Sequence, residues 1–174
     1  MYFFEAIEER INAMPERYSA MQRIARFQLK YALRASEIVD INATFTIEPN
    51  QILITGKKKG NTQIITNPRD IAEIKDFIDL WNDKLLMCSY SKYYRTINEY
   101  FDDFKKDRAK IESKTHLFRY AAAQRKYVQT KNIPEVSEIL REKDQKNTES
   151  YIIQNFRSKL YEKFDTITLQ ITDS

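Results

Sequence analysis

Four segments hold residue types able to act on a charged ester. YALRASEIVDI (31–41) carries Arg34 at a break between helical patterns, with Glu37 three residues on, close enough to hold the guanidinium. In THLFRY (115–120), His116 and Arg119 stand three apart and so share a helix face, while Leu117 and Ala121 turn toward a core. ILREKDQKNTESYI (139–152) ends with Tyr151 just inside a helix, and GKKKGN (56–61) sets Lys57, Lys58 and Lys59 between the only two glycines of the chain. Breaking a phosphodiester needs a nucleophile, cations on the non-bridging oxygens and an acid for the departing oxygen. An arginine fork pairs two oxygens at once and stays charged. A tyrosine oxygen becomes competent when cations stabilise its developing phenolate. A lysine in a cationic or partly buried setting falls toward neutrality and can serve as the acid.

Plainer readings stand beside these. Arg34 can simply pair with Glu37 on a surface helix, His116 can be a partly buried structural histidine, and lysines at a hairpin tip are ordinarily solvated. Tyr151 has a stronger internal case. If its helix runs over 147–164, then at about 100° per residue Ile153, Phe156, Leu160 and Phe164 form one core stripe. Tyr151 then lies on the opposite, polar side with Asn155 and Ser158. A core tyrosine would not point there.

The elements that must position these residues read as helices with one small β insertion. Residues 3–13 are amphipathic, and Pro15 suits the first turn of a longer helix to about Leu33. A short helix around SEIVDI follows. ATFTI (43–47), QILIT (51–55) and TQIIT (62–66) are β-branched and predict three antiparallel strands, turned at Pro49-Asn50 and at the two glycines. Asn67 and Pro68 read as the start of a helix whose stripe is Ile71, Ile74, Ile78, Trp81 and Leu85. The next helix buries Tyr93, Tyr94, Ile97, Tyr100, Phe101 and Phe104, and the charged run 102–110 ends it in solvent. Three more helices fall near 115–128, 134–142 and 147–164. The last residues, DTITLQITDS, alternate at Ile167, Leu169 and Ile171 as a strand would. Such a strand needs a sheet edge, and the 43–66 meander is the one in view.

Composition narrows the class. The 174 residues include 29 Lys or Arg against 25 Asp or Glu, a net charge of +4, with 42% hydrophobic and 13% aromatic residues. That is too apolar for a disordered chain and long enough for one packed domain. No run approaches the roughly 18 apolar residues of a membrane span, and the start, MYFFEAIEER, is not a signal peptide. A lone cysteine, Cys88, and a lone histidine, His116, leave no disulfide, thiolate cluster or multi-histidine metal site. The expectation is a cytoplasmic, nucleoid-associated protein with no metal and no cofactor.

Read together, the segments resemble the tyrosine recombinases, the phage-integrase and Xer-like family of site-specific DNA recombinases. ALRASEIVDI looks like the family's first arginine box, HLFR like its His-x-x-Arg box, and NTESYI like the segment of its nucleophilic tyrosine. Arg119 and Tyr151 are 32 positions apart, the usual spacing. The resemblance implies that Arg34 and Arg119 clamp the phosphate, Tyr151 attacks to form a 3′-phosphotyrosine, His116 assists, and Lys57 is the acid. It also implies DNA contacts from Lys57, Lys58, Lys59 and Arg141. One position departs from the pattern. Nine residues before the tyrosine, where the family has histidine or tryptophan, stands Glu142, preceded by Arg141 in place of the usual glycine. A carboxylate beside a phosphate is unfavourable unless it bonds a clamp residue and orients it.

The expectation is therefore an α+β, mainly helical catalytic domain over 1–174, with its core at 3–164, a tail at 165–174 and a small three-stranded antiparallel sheet. It would integrate or excise a mobile element or virus on double-stranded DNA, as a tetramer there and a monomer when free. The separate N-terminal DNA-clamping domain of the family is not seen. The alternatives are an Xer-like resolvase, a catalytically idle DNA-binding regulator and, more distantly, a type IB topoisomerase or a helical interaction protein.

Overall fold

The fold is built round the helix that carries Arg119. A computed structural model describes residues 3–39, 44–48, 51–56, 60–65, 68–86, 88–106, 114–154 and 156–157. In chain order the elements begin with α1 (Phe3–Asn12), α2 (Ser19–Lys30) and α3 (Ala35–Ile38), then β1 (Thr44–Glu48), β2 (Gln51–Gly56) and β3 (Gly60–Ile65). There follow α4 (Ile71–Asn82), α5 (Tyr90–Tyr100), β4 (Lys105–Lys106), α6 (Leu117–Thr130), α7 (Ile133–Leu140), α8 (Gln145–Ile153) and β5 (Phe156–Arg157). The strands β1, β2 and β3 pair antiparallel in that order, with Thr44 opposite Thr55 and Gly56 opposite Gly60.

Over its first two turns α6 is buried nearly all round: Leu117, Phe118, Arg119, Ala121, Ala122 and Ala123 are all inside. A helix with an apolar surface on every side must be enclosed. The alanine run lets α1, α2, α7 and α8 approach it closely. Ala122 and Ala123 pack in a second apolar cluster with Ala32, Val136, Leu140 and Ile152, so α7 and α8 are held against the same helix.

The α5 stripe is buried at Tyr93, Ile97, Phe101 and Phe104, while Tyr94 and Tyr100 are only half-buried. The Tyr93 hydroxyl donates to Gln28 Oε1 at 2.6 Å, tying α5 to α2, and burial pushes its pKa well above the ordinary phenol value.

Three expectations about elements are corrected. The α4 stripe buries Ile74 and Ile78, but the helix ends at Asn82 and Lys84 turns to φ 61°, which leaves Leu85 64% exposed. The charged run after α5 does not simply leave for solvent. Asp103 is buried in a two-pronged pair with Arg10, at 2.9 and 3.0 Å, beside the fully buried Phe104. The last helix does not run over 147–164. It stops at Ile153, and the chain turns extended so that β5 pairs with β4. The reason is Phe156, whose ring stacks on Phe3 at 4.2 Å and meets Tyr120 edge-on at 5.2 Å. A flat contact of that size outweighs one more helical turn. The terminal strand expected at 165–174 lies outside the described residues.

Candidate functional site: an arginine cluster at the ends of three helices

Arg34 stands in the break between α2 and α3, as the residue that caps α3. Its backbone N–H donates to Glu37 Oε2 at 2.8 Å and its Nη1 to Glu37 Oε1 at 3.2 Å. The caps and ends of short helices leave main-chain groups unpaired, and here the third residue of α3 takes up one of them. The other side of the fork points away from α3. Arg34 Nη2 donates to Glu142 Oε1 at 2.9 Å.

Arg119 reaches the same carboxylate oxygen, its Nη2 donating to Glu142 Oε1 at 3.1 Å. It is a charged side chain with 0% exposure, so its partners must offset the loss of water. Besides Glu142 they are two main-chain carbonyls. Nη1 donates to Ala32 O at 2.8 Å and Nη2 also to Leu140 O at 2.9 Å. Leu140 is the last residue of α7, where carbonyls lack helical partners and the helix dipole is negative. Ala32 has φ 52°, a left-handed conformation unusual for a residue with a Cβ, and its carbonyl accepts from two arginines, Arg119 and Arg141.

Arg141 is held within the cluster. The sequence reading gives it a DNA contact, but the structure turns it inward. It follows α7 at φ 56°, and Nη1 donates to Ile139 O at 2.9 Å and Tyr31 O at 3.3 Å. Nη2 donates to Ala32 O at 3.2 Å and to Glu37 Oε2 at 2.8 Å. Burial pulls its pKa below the ordinary guanidinium value; Glu37 opposes this, and the charges of Arg119 and Arg34 add to it. Left-handed φ lets the side chain fold back over the helix end, which a straight continuation would not allow. Among the described residues, Nε of Arg119 and Nε of Arg141 are buried without a partner.

Tyr151 lies beside this cluster. The Arg119 guanidinium carbon is 5.3 Å from the centre of its ring, which also packs against Tyr120 at 4.6 Å. It is half-buried against the second apolar cluster. The sequence argument for its position therefore needs correction. With α8 ending at Ile153, the expected stripe does not form. Ile153 is 47% exposed, the buried residues of α8 are Thr148 and Ile152, and Leu160 and Phe164 lie outside the described residues.

The other expected residues fare differently. His116 closes a 3₁₀ turn, Lys114–His116, and is exposed at the cap of α6, whereas Arg119 one turn on is fully buried. His116 caps the open end of α6, so the three-residue spacing does not carry the burial of Arg119 back to it. Lys57, Lys58 and Lys59 lie outside the described residues. What the sequence reading misses is the part played by the carbonyls of Ala32 and Leu140; a main-chain acceptor leaves no signal in residue type. No group of three metal-ligating side chains occurs among the described residues, and no helix there is long and apolar enough to cross a membrane.

No family model matches the sequence, and no curated protein is matched by it. Solved structures do match. The XerH site-specific recombinase bound to palindromic difH substrate, a post-cleavage complex, superposes with TM-score 0.59 at 16% identity, over 85% of this chain and 46% of that one. The pre-cleavage complex of XerH with difH gives 0.58 at 16% identity, over 85% and 48%. A lambda integrase(75-356) dimer bound to a COC′ core site gives 0.59 at 13% identity, over 97% of this chain and 61% of that one. The chain thus spans about half the length of the XerH chains. Its fold is tyrosine-recombinase-like.

Proposed function

We propose that this chain is the catalytic domain of a site-specific DNA recombinase that cleaves and rejoins double-stranded DNA through a 3′-phosphotyrosine. The observation that carries the reading is the meeting of Arg34 and Arg119 on one carboxylate oxygen, with the Tyr151 ring against the Arg119 guanidinium. Two forks that converge on one oxygen anion are built to hold a phosphate between them. In the proposed reaction the Tyr151 oxygen attacks phosphorus and gives its proton to His116 or to water, the bond to the 5′ oxygen breaks, and that oxygen takes a proton from Lys57. His116 hydrogen-bonds the phosphate or assists the tyrosine proton. The phosphotyrosine retains the ester for religation by the incoming 5′ hydroxyl. Use on a mobile element or virus, and assembly as a tetramer on DNA, belong to the same proposal.

A second reading has a specific observation in its favour. Glu142 neutralises part of the arginine charge, as would suit a DNA-binding regulator that does not cleave. Incubation with a pool of nicked duplexes, followed by a denaturing gel, separates the two. A cleaving domain leaves a covalent protein–DNA adduct that Tyr151→Phe abolishes. DNA retention with no adduct from the unaltered chain supports the regulator.

A further inference from the structure

The arginine pair already holds an anion, and it is one of the protein's own. The two carboxylates of the cluster are not equivalent. Glu37 sits on α3 and engages both oxygens, Oε1 with Arg34 Nη1, Oε2 with the Arg34 backbone N–H and Arg141 Nη2. Glu142 stands between α7 and α8, and its Oε1 alone receives both Arg34 and Arg119. Of the three acceptors of Arg119, two are main-chain carbonyls that cannot leave without moving a helix end or the α2–α3 break. The third is this loop carboxylate, 15% exposed, which a side-chain rotation can withdraw. An anion that binds Arg119 Nη2 and Arg34 Nη2 together must therefore take the place of Glu142. The cluster of Arg34, Arg119 and Arg141 with Glu37 and Glu142 carries a net single positive charge, and withdrawing Glu142 raises the charge facing the vacated position.

We propose that Glu142 is a displaceable internal competitor, and that a tetrahedral oxyanion, in function a DNA phosphodiester, binds the arginine pair only by expelling it. The natural ligand rests on the recombinase reading; the competition does not, and it can be measured without DNA. A site that is open for only a fraction of the time shows its intrinsic affinity reduced by that fraction.

The test is calorimetric titration of the full chain with inorganic phosphate at fixed pH and ionic strength. Glu142→Gln removes the charge and keeps an acceptor oxygen for Arg119. Phosphate should bind this variant about tenfold or more tightly than the unaltered chain, and adding Arg34→Ala should remove the gain. Equal or weaker binding by Glu142→Gln overturns the proposal and makes Glu142 a positioning residue that holds the arginines in place. If that variant loses its cooperative melt, Glu142→Asp, whose shorter side chain draws the charge back, is judged by the same comparison. A gain in phosphate affinity without any covalent DNA adduct leaves the competitor standing and removes the recombinase reading. An adduct with no gain does the reverse.

Discussion

Arg119 should be a stability residue before it is a catalytic one, and this can be measured against Arg34. Arg119→Met keeps much of the side-chain volume and removes the charge. It leaves Ala32 O with Arg141 alone, Leu140 O without its Arg119 donor, and Glu142 with Arg34 alone. Removing one partner of a buried charged network costs about 3–5 kcal/mol. In a domain of this size each kcal/mol lowers Tm by roughly 2–4 °C, so a fall on the order of 10 °C is expected. Arg34→Met removes a side chain that is 33% exposed and whose ion pairs are screened by solvent, so the loss is about 1 kcal/mol or less. Thermal melts followed by far-UV circular dichroism give both numbers. If the two variants melt within about 2 °C of each other, the fully buried position of Arg119 is wrong, and so is the account of the site built on it. The difference also has a practical consequence. Loss of adduct in the Arg34 variant would report on the proposed phosphate clamp, whereas the same loss in the Arg119 variant would mix that clamp with the fold.

Tyr151→Phe should melt within about 0.5 kcal/mol of the unaltered chain, because the ring face presented to Arg119 is kept, while adduct formation on nicked duplexes is lost. Phe156→Ala removes the stack on Phe3 and should cost about 3–5 kcal/mol, read from urea midpoints; a cost below about 1 kcal/mol would refute the extended anchor that ends α8. Deleting 165–174 should leave single-strand cleavage intact and impair assembly of the multi-subunit complex, seen as loss of the largest protein–DNA species by native gel. The outer strands β1 and β3 are the edges such a segment could join in a neighbouring subunit.

Much of the helical framework is legible in the sequence, because apolar spacing of three and four reports a buried face directly. Tyr93, Ile97, Phe101 and Phe104 are the clear case. The same signal misleads where a helix stops. Leu85 continues the α4 spacing but falls past the left-handed Lys84, and Phe156 continues the α8 spacing but is buried from an extended strand. Periodicity records that a residue is apolar at a given step; it does not record which backbone delivers it to the core. Helix ends are decided by competition between one more turn and a contact made elsewhere.

The site divides in the same way. That Arg34, Arg119 and Tyr151 are the residues to watch follows from the resemblance of their segments, in order and spacing, to the tyrosine-recombinase boxes. The tertiary structure alone decides that Arg119 is buried, that Arg141 turns inward, and that His116 stands exposed. Their partners are distant in sequence: Ala32 O lies 87 positions from Arg119, and Glu142 lies 108 from Arg34. Local sequence encodes the chemistry a side chain can perform. Which acceptor it meets, and whether water reaches it, depends on how the ends of α2, α3 and α7 are brought together around α6, and no short stretch of residues contains that.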